Sequence, residues 1–238
     1  MTASSISDLL RSARLVAVLT IEDVEQAVPL AHALVSGGVR TLEITLRTKA
    51  GARAAAAILD AVPEAVVGLG TVLTRDDLEL ARRLNVRFAF SPGATPALLD
   101  VARELGVPFV PGVGTASELI EALARGFDVV KLFPAEQVGG IGMLRALAGP
   151  FPSALFNPTG GVTEDNVDAY LAQPNVVAVG GSWLAPAPDV SAGNWRAISE
   201  RTRRVMTKIT SVARANHPLA PRSYSPVDNI GHTRRLEE

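Results

Sequence analysis

Lys131 is the side chain in this sequence best suited to covalent chemistry. Three of the 23 basic residues are lysines, and the other two are Lys49 and Lys208. Lys131 lies in the apolar run 127–134, which is typical of a buried strand. A desolvated lysine can lose its proton and attack a carbonyl carbon, whereas an arginine stays protonated. A lysine that simply points from a strand into solvent is the alternative interpretation.

A carboxylate that could serve such an amine lies in an earlier apolar run. Glu43, Thr45 and Arg47 are spaced two residues apart, so in a strand they share one face, and leucine and isoleucine occupy the other. The side of a strand that faces covering helices must be apolar, so the Glu43 face is predicted to point to the interior. The same alternation gives Lys131 and Phe133 an interior face. Buried charges are costly unless paired, so we expect a Lys131–Glu43 pair, with a purely structural ion pair as the alternative.

Two late strands end in glycine pairs that suit an anion. Thr159 precedes Gly160 and Gly161, and Gly181 precedes Ser182. Glycines leave backbone N–H groups accessible, and a hydroxyl or a helix N-terminus adds further donors. Glycines also make turns, so one pair alone is weak evidence. Two pairs on the last two strands predict a phosphate site.

The elements that would hold these groups are short β-type runs that alternate with helical runs. Eight strand candidates are found: 15–19, 41–46, 66–72, 88–92, 109–113, 129–133, 154–158 and 176–180. Eight βα units predict an α/β fold, a (βα)8 TIM barrel in which the loops after the strands carry the site. An open doubly wound sheet is the alternative. Its first strand would be followed by a glycine-rich loop, and here Thr20-Ile21-Glu22-Asp23 follows instead.

Local signals place the helices and the ends of the domain. We expect helix N-caps at four threonines: Thr74, Thr95, Thr115 and Thr163. Residues 1–14 are predicted to form an amphipathic helix that plugs the lower end of the barrel. A single barrel domain with this helix is therefore expected over residues 1–213. Residues 214–238 are polar and contain three prolines, which predicts a disordered tail.

Composition argues against several classes of function. The formal net charge of −1 disfavours bulk attraction to nucleic acid or an anionic membrane. No apolar run reaches membrane-spanning length and no secretory leader pattern opens the sequence, so we expect a cytoplasmic protein. There is no cysteine, and the three histidines, His32, His217 and His232, do not end predicted strands. No metal site is therefore expected.

Eight short strings occur along the chain in a specific order: GGVR at 37–40, LEITLRT at 42–48, GTVL at 70–73, SPG at 91–93, KLFPAE at 131–136, AGPF at 148–151, PTGGV at 158–162 and GGSWL at 180–184. Over about residues 15–186 this pattern resembles the class I aldolases of 2-keto-3-deoxy-6-phosphogluconate (KDPG) and 4-hydroxy-2-oxoglutarate (KHG). The resemblance implies a lysine Schiff-base aldolase that acts on a phosphorylated keto sugar acid. KDPG would give pyruvate and glyceraldehyde 3-phosphate, and KHG would give pyruvate and glyoxylate.

The resemblance also implies residue roles. Lys131 corresponds to the Schiff-base lysine and Glu43 to the general acid and base. Arg47 and Thr71 correspond to the residues that receive the substrate carboxylate, with Phe133 beside the imine. The phosphate end would be bound by five residues: Thr159, Gly160, Gly161, Gly181 and Ser182. A homotrimer without a cofactor is implied as well, whereas the tail at 214–238 is not part of the family pattern.

Two other interpretations of the residues stay open. Another phosphate-binding TIM-barrel synthase, for an aromatic or thiamine precursor, would not need a lysine at position 131. A non-catalytic barrel that serves as an assembly protein would not need inward polar residues such as Glu43.

Overall fold

A curved parallel sheet surrounded by helices makes up residues 5–216, the part of the chain that this computed structural model describes. Nine strands occur within it: β1 (Leu15–Leu19), β2 (Thr41–Thr45), β3 (Val66–Gly70), β4 (Phe88–Phe90), β5 (Phe109–Val110), β6 (Gly112–Val113), β7 (Val129–Leu132), β8 (Leu155–Phe156) and β9 (Val179–Gly181). Ten α-helices occur in the same residues: α1 (Ile6–Ala13), α2 (Ala27–Ser36), α3 (Gly51–Ala61), α4 (Arg75–Arg83), α5 (Pro96–Leu105), α6 (Ala116–Ala124), α7 (Gly140–Ala148), α8 (Val167–Leu171), α9 (Ala187–Ser191) and α10 (Trp195–Asn216). A 3-10 helix, Val24–Gln26, precedes α2.

The strands are arranged in two sheets that adjoin each other. One has the order β5-β4-β3-β2-β1-β9 and the other β6-β7-β8, and neighbours in both are parallel. Only Pro111 separates β5 from β6, and proline has no N–H for the ladder. On the other side, Val177 N–H donates to the Phe156 carbonyl at 3.0 Å and Gly180 N–H to the Pro158 carbonyl at 2.9 Å. Backbone hydrogen bonds therefore also run between the β8 and β9 segments.

Alternation along the strands divides the apolar residues into two layers. Leu42 and Ile44 of β2 and Val130 and Leu132 of β7 belong to the larger cluster, between the sheet and the helices. A smaller cluster lies on the inner face of the sheet and contains Val16, Phe88, Phe90, Val110 and Val129. The two layers arise because successive side chains of a strand point to opposite faces of the sheet.

Helix α1 closes one end of the inner layer. Its N-cap is Ser5, whose hydroxyl accepts a hydrogen bond from Asp8 N–H at 3.2 Å. Leu10 is fully buried in the inner cluster, and Ile6 and Leu9 pack against it. The amphipathic helix expected at the start of the chain is therefore present from Ile6, and it contacts the sheet interior through its apolar side.

Three of the four expected N-caps are confirmed. The hydroxyls of Thr74, Thr95 and Thr115 each accept from the backbone N–H three residues later, and Thr74 forms a full capping box with Asp77. The fourth prediction, Thr163, is wrong. Helix α8 begins at Val167, and the Asn166 side chain accepts from Thr163 N–H at 2.7 Å. The asparagine thus reaches back and stabilises a turn where a helix start was expected.

The ends of several elements differ from those expected. The last strand is Val179–Gly181, three residues later than its predicted start, because Val176 forms only an isolated bridge with Phe156. Helix α10 continues through Asn216, so its final residues, 214–216, overlap the start of the predicted tail. The remainder of that tail, 217–238, lies outside the described residues. No helix in the described part is both long and apolar enough to cross a membrane.

Candidate active site

A buried ion pair joins β2 to β7 on the inner face of the sheet. Lys131 Nζ lies 2.8 Å from Glu43 Oε1 and 3.1 Å from Oε2, so the amine donates to both carboxylate oxygens. The residues are 3% and 1% exposed, which leaves almost no surface for water. The structure thus places both side chains inward and together, as strand alternation predicts. A pair so enclosed can transfer a proton along its own hydrogen bond.

Aromatic rings and a glycine enclose this pair. Nζ of Lys131 lies 5.2 Å from the ring centroid of Phe90 and 5.6 Å from that of Phe133. On the carboxylate side, a Cβ atom at Gly70 would overlap Oε1 of Glu43. Gly70 pairs with Thr45 on the neighbouring strand, so its missing side chain creates the space that the carboxylate occupies. No pattern in the sequence indicates that Gly70 belongs to the site.

Arg47 lies outside strand β2, contrary to the prediction that it shares the buried inner face. The strand ends at Thr45, and Arg47 is exposed in the following turn. Alternation cannot be extrapolated past the last strand residue, because a turn changes the direction of the side chains. Arg47 Nε still donates to Thr71 Oγ1 at 3.1 Å, so these two predicted carboxylate ligands are in contact. Thr71 adopts φ 60°, which is rare for a β-branched residue and brings it to this position.

The first glycine pair forms a loop against the segment after β7. Gly160 and Gly161 have φ values of 96° and 82°, which glycine adopts without strain. Ala135 N–H donates to the Thr159 carbonyl at 2.8 Å, and Glu136 N–H donates to the Gly160 carbonyl at 3.0 Å. No backbone hydrogen bond within residues 5–216 uses the N–H of Gly160 or Gly161. Both remain available to an anion, as the sequence suggests.

The second glycine pair lies beside the first. Thr159 forms an isolated parallel bridge with Gly180, and a Cβ at Gly180 would overlap the Thr159 hydroxyl. Gly181 is buried at the end of β9, and Ser182 is exposed directly after it. The two glycine pairs predicted to bind phosphate are thus adjacent. The buried Thr159 lies between them and the face of the sheet that carries Lys131.

Three polar side chains hold the glycine loop in place, a role that no sequence pattern indicates for Glu136, Asn166 or Tyr170. Tyr170 O–H donates to Glu136 Oε1 at 2.5 Å, and Asn166 Nδ2 donates to the Gly161 carbonyl at 3.1 Å and to Glu136 Oε1 at 3.4 Å. Burial, followed by the bond to Glu136, raises the pKa of the Tyr170 phenol, so it stays a donor. A Cβ at Gly161 would overlap Glu136, which explains the second glycine sterically.

Comparison with known proteins identifies the family. The family model described as KDPG and KHG aldolase matches residues 6–201. A 2-dehydro-3-deoxy-phosphogluconate aldolase of Pseudoalteromonas atlantica is 43% identical over 202 residues, 85% of this chain and 94% of that protein. The KHG/KDPG aldolase of Escherichia coli is also 43% identical, covering 85% of this chain and 95% of that protein. The chain belongs to the KDPG and KHG aldolase family.

A solved structure of a family member agrees with this assignment. The KDPG aldolase of Legionella pneumophila, crystallised with pyruvate captured at low pH as a covalent carbinolamine intermediate, superposes with a TM-score of 0.82. It is 39% identical, and the match covers 85% of this chain and 98% of that chain.

In the part of the chain that the structure describes, no group of three or more His, Cys, Asp or Glu side chains is placed to hold a metal ion.

Proposed function

We propose that this chain is a class I aldolase that cleaves KDPG to pyruvate and glyceraldehyde 3-phosphate. It also cleaves KHG to pyruvate and glyoxylate, an activity suggested by the name of its Escherichia coli relative. The observation that carries the proposal is the enclosed Lys131–Glu43 pair in a member of this family. A chain that needed only a structural link between β2 and β7 would gain little from it, because a buried ion pair is often no more stable than apolar side chains of similar volume.

Lys131 is the nucleophile. Transfer of a proton from Nζ to Glu43, across 2.8 Å, produces the neutral amine that attacks the C2 carbonyl of the substrate. The carbinolamine formed then loses water, with Glu43 supplying the proton, and leaves an iminium at C2. The covalent carbinolamine captured in the Legionella pneumophila relative supports this step.

Glu43 next moves the proton that controls bond cleavage. Its carboxylate, through a water molecule, takes the proton from the C4 hydroxyl while the C3–C4 bond breaks and that electron pair moves into the iminium. The aldehyde leaves, and an enamine of pyruvate stays on Lys131. Protonation at C3 and hydrolysis then release pyruvate and restore the amine.

The two ends of the substrate are held by separate groups. Arg47 and Thr71 bind the carboxylate next to C2, since a guanidinium matches a carboxylate in shape and charge. Phe133 packs beside the imine. The phosphate is bound by the N–H groups of Gly160 and Gly161, by Gly181 and by the Ser182 hydroxyl, and Thr159 holds this loop through its hydrogen bond to Asn157. This division is supported by the Arg47–Thr71 contact and by the unused N–H groups of the glycine loop.

The fold that goes with this function is a closed (βα)8 barrel. Two observations support this proposal: only Pro111 separates β5 from β6, and two backbone hydrogen bonds connect the β8 and β9 segments. In a barrel of eight parallel strands the segments after the strands carry the chemistry, and in this chain those segments contain Arg47, Thr71 and Gly160.

The assembly is a homotrimer, as the family resemblance implies. Leu73 and Ile120, both 55% exposed, provide apolar surface that an interface could cover. The compartment is the cytoplasm, because a phosphorylated sugar acid does not cross membranes unaided.

A coupled assay for pyruvate release tests the function. Lactate dehydrogenase with NADH should report turnover on KDPG and on KHG, and Lys131→Arg should abolish both because a guanidinium forms no imine. Full activity of Lys131→Arg would instead contradict the Schiff-base mechanism, and a synthase for an aromatic or thiamine precursor would turn over neither substrate. A wild-type chain with no turnover on either substrate would favour the non-catalytic barrel.

A further inference from the structure

Asn157 is a buried polar residue that none of the proposed steps uses. It follows β8 directly, and its N–H donates to the Val130 carbonyl at 2.8 Å, so it lies beside Lys131 on the neighbouring strand. Its side chain shares a face with Leu155, which packs on the inner cluster, and with Thr159, to which it is hydrogen-bonded. Asn157 therefore points into the interior of the sheet, between Lys131 and the glycine loop.

The hydrogen bonds of this amide are only half satisfied. Oδ1 accepts from the Thr159 hydroxyl at 3.2 Å, but within residues 5–216 no protein atom accepts from Nδ2. The residue is 0% exposed. Burying an amide N–H without an acceptor is unfavourable, so such groups in native proteins usually have a specific explanation.

A second buried asparagine shows the ordinary arrangement. Asn175 is 9% exposed, and its Nδ2 donates to the Leu144 carbonyl at 2.9 Å. This hydrogen bond connects α7 to the segment before β9, on the helix-covered side of the sheet, whereas Lys131 lies on the inner face. The two residues have the same chemistry and similar burial, but only Asn157 presents a donor to the proposed site.

The position of Asn157 restricts the acceptor. In the proposed function the C2 carbon is bound to Lys131, and the phosphate lies at Gly160 and Gly161. The atoms of KDPG between these points carry the C4 and C5 hydroxyls. A neutral amide N–H is suited to a hydroxyl oxygen, whereas the charged ends of the substrate are served by other groups.

We propose that Asn157 is a substrate-binding residue whose Nδ2–H donates to a hydroxyl oxygen of the sugar-acid chain, between the iminium carbon and the phosphate. The inference rests on the proposed function of the same site. Through Oδ1 the same amide orients the Thr159 hydroxyl, so one side chain links the covalent end of the site to its phosphate end.

Asn157→Ala, compared with Asn175→Ala, tests the proposal. Loss of the substrate contact should lower kcat/KM for KDPG by roughly 10- to 100-fold, while borohydride trapping of pyruvate at Lys131 stays at the wild-type level because pyruvate lacks both hydroxyls. Asn175→Ala should lower the melting temperature and leave kcat/KM unchanged. A loss on both KDPG and KHG assigns the contact to the C4 hydroxyl, and a loss on KDPG alone assigns it to the C5 hydroxyl.

Two results would overturn the inference. One is a kcat/KM for Asn157→Ala equal to wild type on both substrates. The other comes from the Thr159→Val background: if Asn157→Ala causes no further loss there, the asparagine acts only by holding the threonine, whereas an undiminished loss supports direct contact. Wild-type turnover and pyruvate trapping are measured alongside, and their absence would reject the proposed aldolase itself rather than the role of Asn157.

Discussion

At the scale of single residues, the proposed chemistry depends on two opposite charges, those of Lys131 and Glu43, which are almost fully buried. Strand alternation alone predicts that Lys131 and Glu43 both face the interior, because both apolar runs are long enough to show a two-residue period. The same rule failed for Arg47, which lies beyond the strand. Gly70 and Asn157 could not be assigned from sequence, since their importance comes from contacts across neighbouring strands.

Glu43→Gln should keep the fold and lose turnover. The amide can still accept a hydrogen bond from Lys131, but it cannot take up or return a proton. We expect kcat on KDPG to fall by about 100-fold or more, within the usual range for removal of a general acid or base. Steady-state assays with a circular-dichroism check provide the test, and an active Glu43→Gln enzyme would remove Glu43 from the mechanism.

Gly70→Ala should reduce turnover without touching any reacting group. The added methyl overlaps Oε1 of Glu43, so the carboxylate must move away from Lys131. A shift of about 1 Å in a catalytic group can cost about 100-fold in rate. The matched control is Gly142→Ala in α7, where an added Cβ meets nothing within 4 Å. Wild-type kcat in Gly70→Ala would show that the carboxylate position is not critical.

At the scale of elements, the helix starts show how far local signals extend. Three threonine caps follow from sequence because a cap is a contact between residues three apart. Thr163 has the same local pattern, yet Asn166 holds that segment as a turn. The strand ends also differ from those expected. Pro111 has no N–H to donate and divides one predicted strand into β5 and β6, and the pairing near Val176 is reduced to one isolated bridge.

Thr74→Ala should destabilise the protein while Thr163→Ala should not. The Thr74 hydroxyl accepts from Asp77 N–H at 3.2 Å, and loss of such a cap costs about 1 kcal/mol of unfolding free energy. Thr163 caps no helix, so its substitution should stay within about 0.5 kcal/mol of wild type. Urea unfolding measures both, and equal effects would mean that the capping box contributes nothing specific.

The attachment of α10 should weaken in acid. The hydrogen bond from Arg204, at 2.8 Å, lowers the pKa of Glu164 from its ordinary value of 4.5. Because the folded-state pKa is the lower one, the stabilisation is present above pH 4.5 and is lost as the pH falls through the folded value. The melting temperatures of wild type and Glu164→Gln should therefore differ at pH 7 and converge in acid. A difference that persists unchanged at low pH would contradict this.

At the scale of the whole molecule, the alternation of strands and helices indicated a parallel α/β architecture, and the match to a family member at TM-score 0.82 agrees with it. Sequence patterns do not determine whether such a sheet closes into a ring, because that depends on backbone hydrogen bonds between separate segments, such as the one from Val177 N–H to the Phe156 carbonyl. Nor does any pattern within the chain determine how many copies assemble.

The assembly prediction is tested by mass in solution. Light scattering after size exclusion should give a value close to three times the 24.9 kDa of one chain. A monomer mass at assay concentrations, with full aldolase activity, would show that the proposed trimer is not needed for the site.

Borohydride reduction in the presence of pyruvate shows whether the buried amine of Lys131 forms an imine with a keto acid. Peptide mass spectrometry should then find one adduct per chain, on Lys131, and none on Lys49 or Lys208. The adduct should disappear in Lys131→Arg. Labelling at either of the other lysines, or no labelling under conditions in which the enzyme turns over KDPG, would contradict the Schiff-base account.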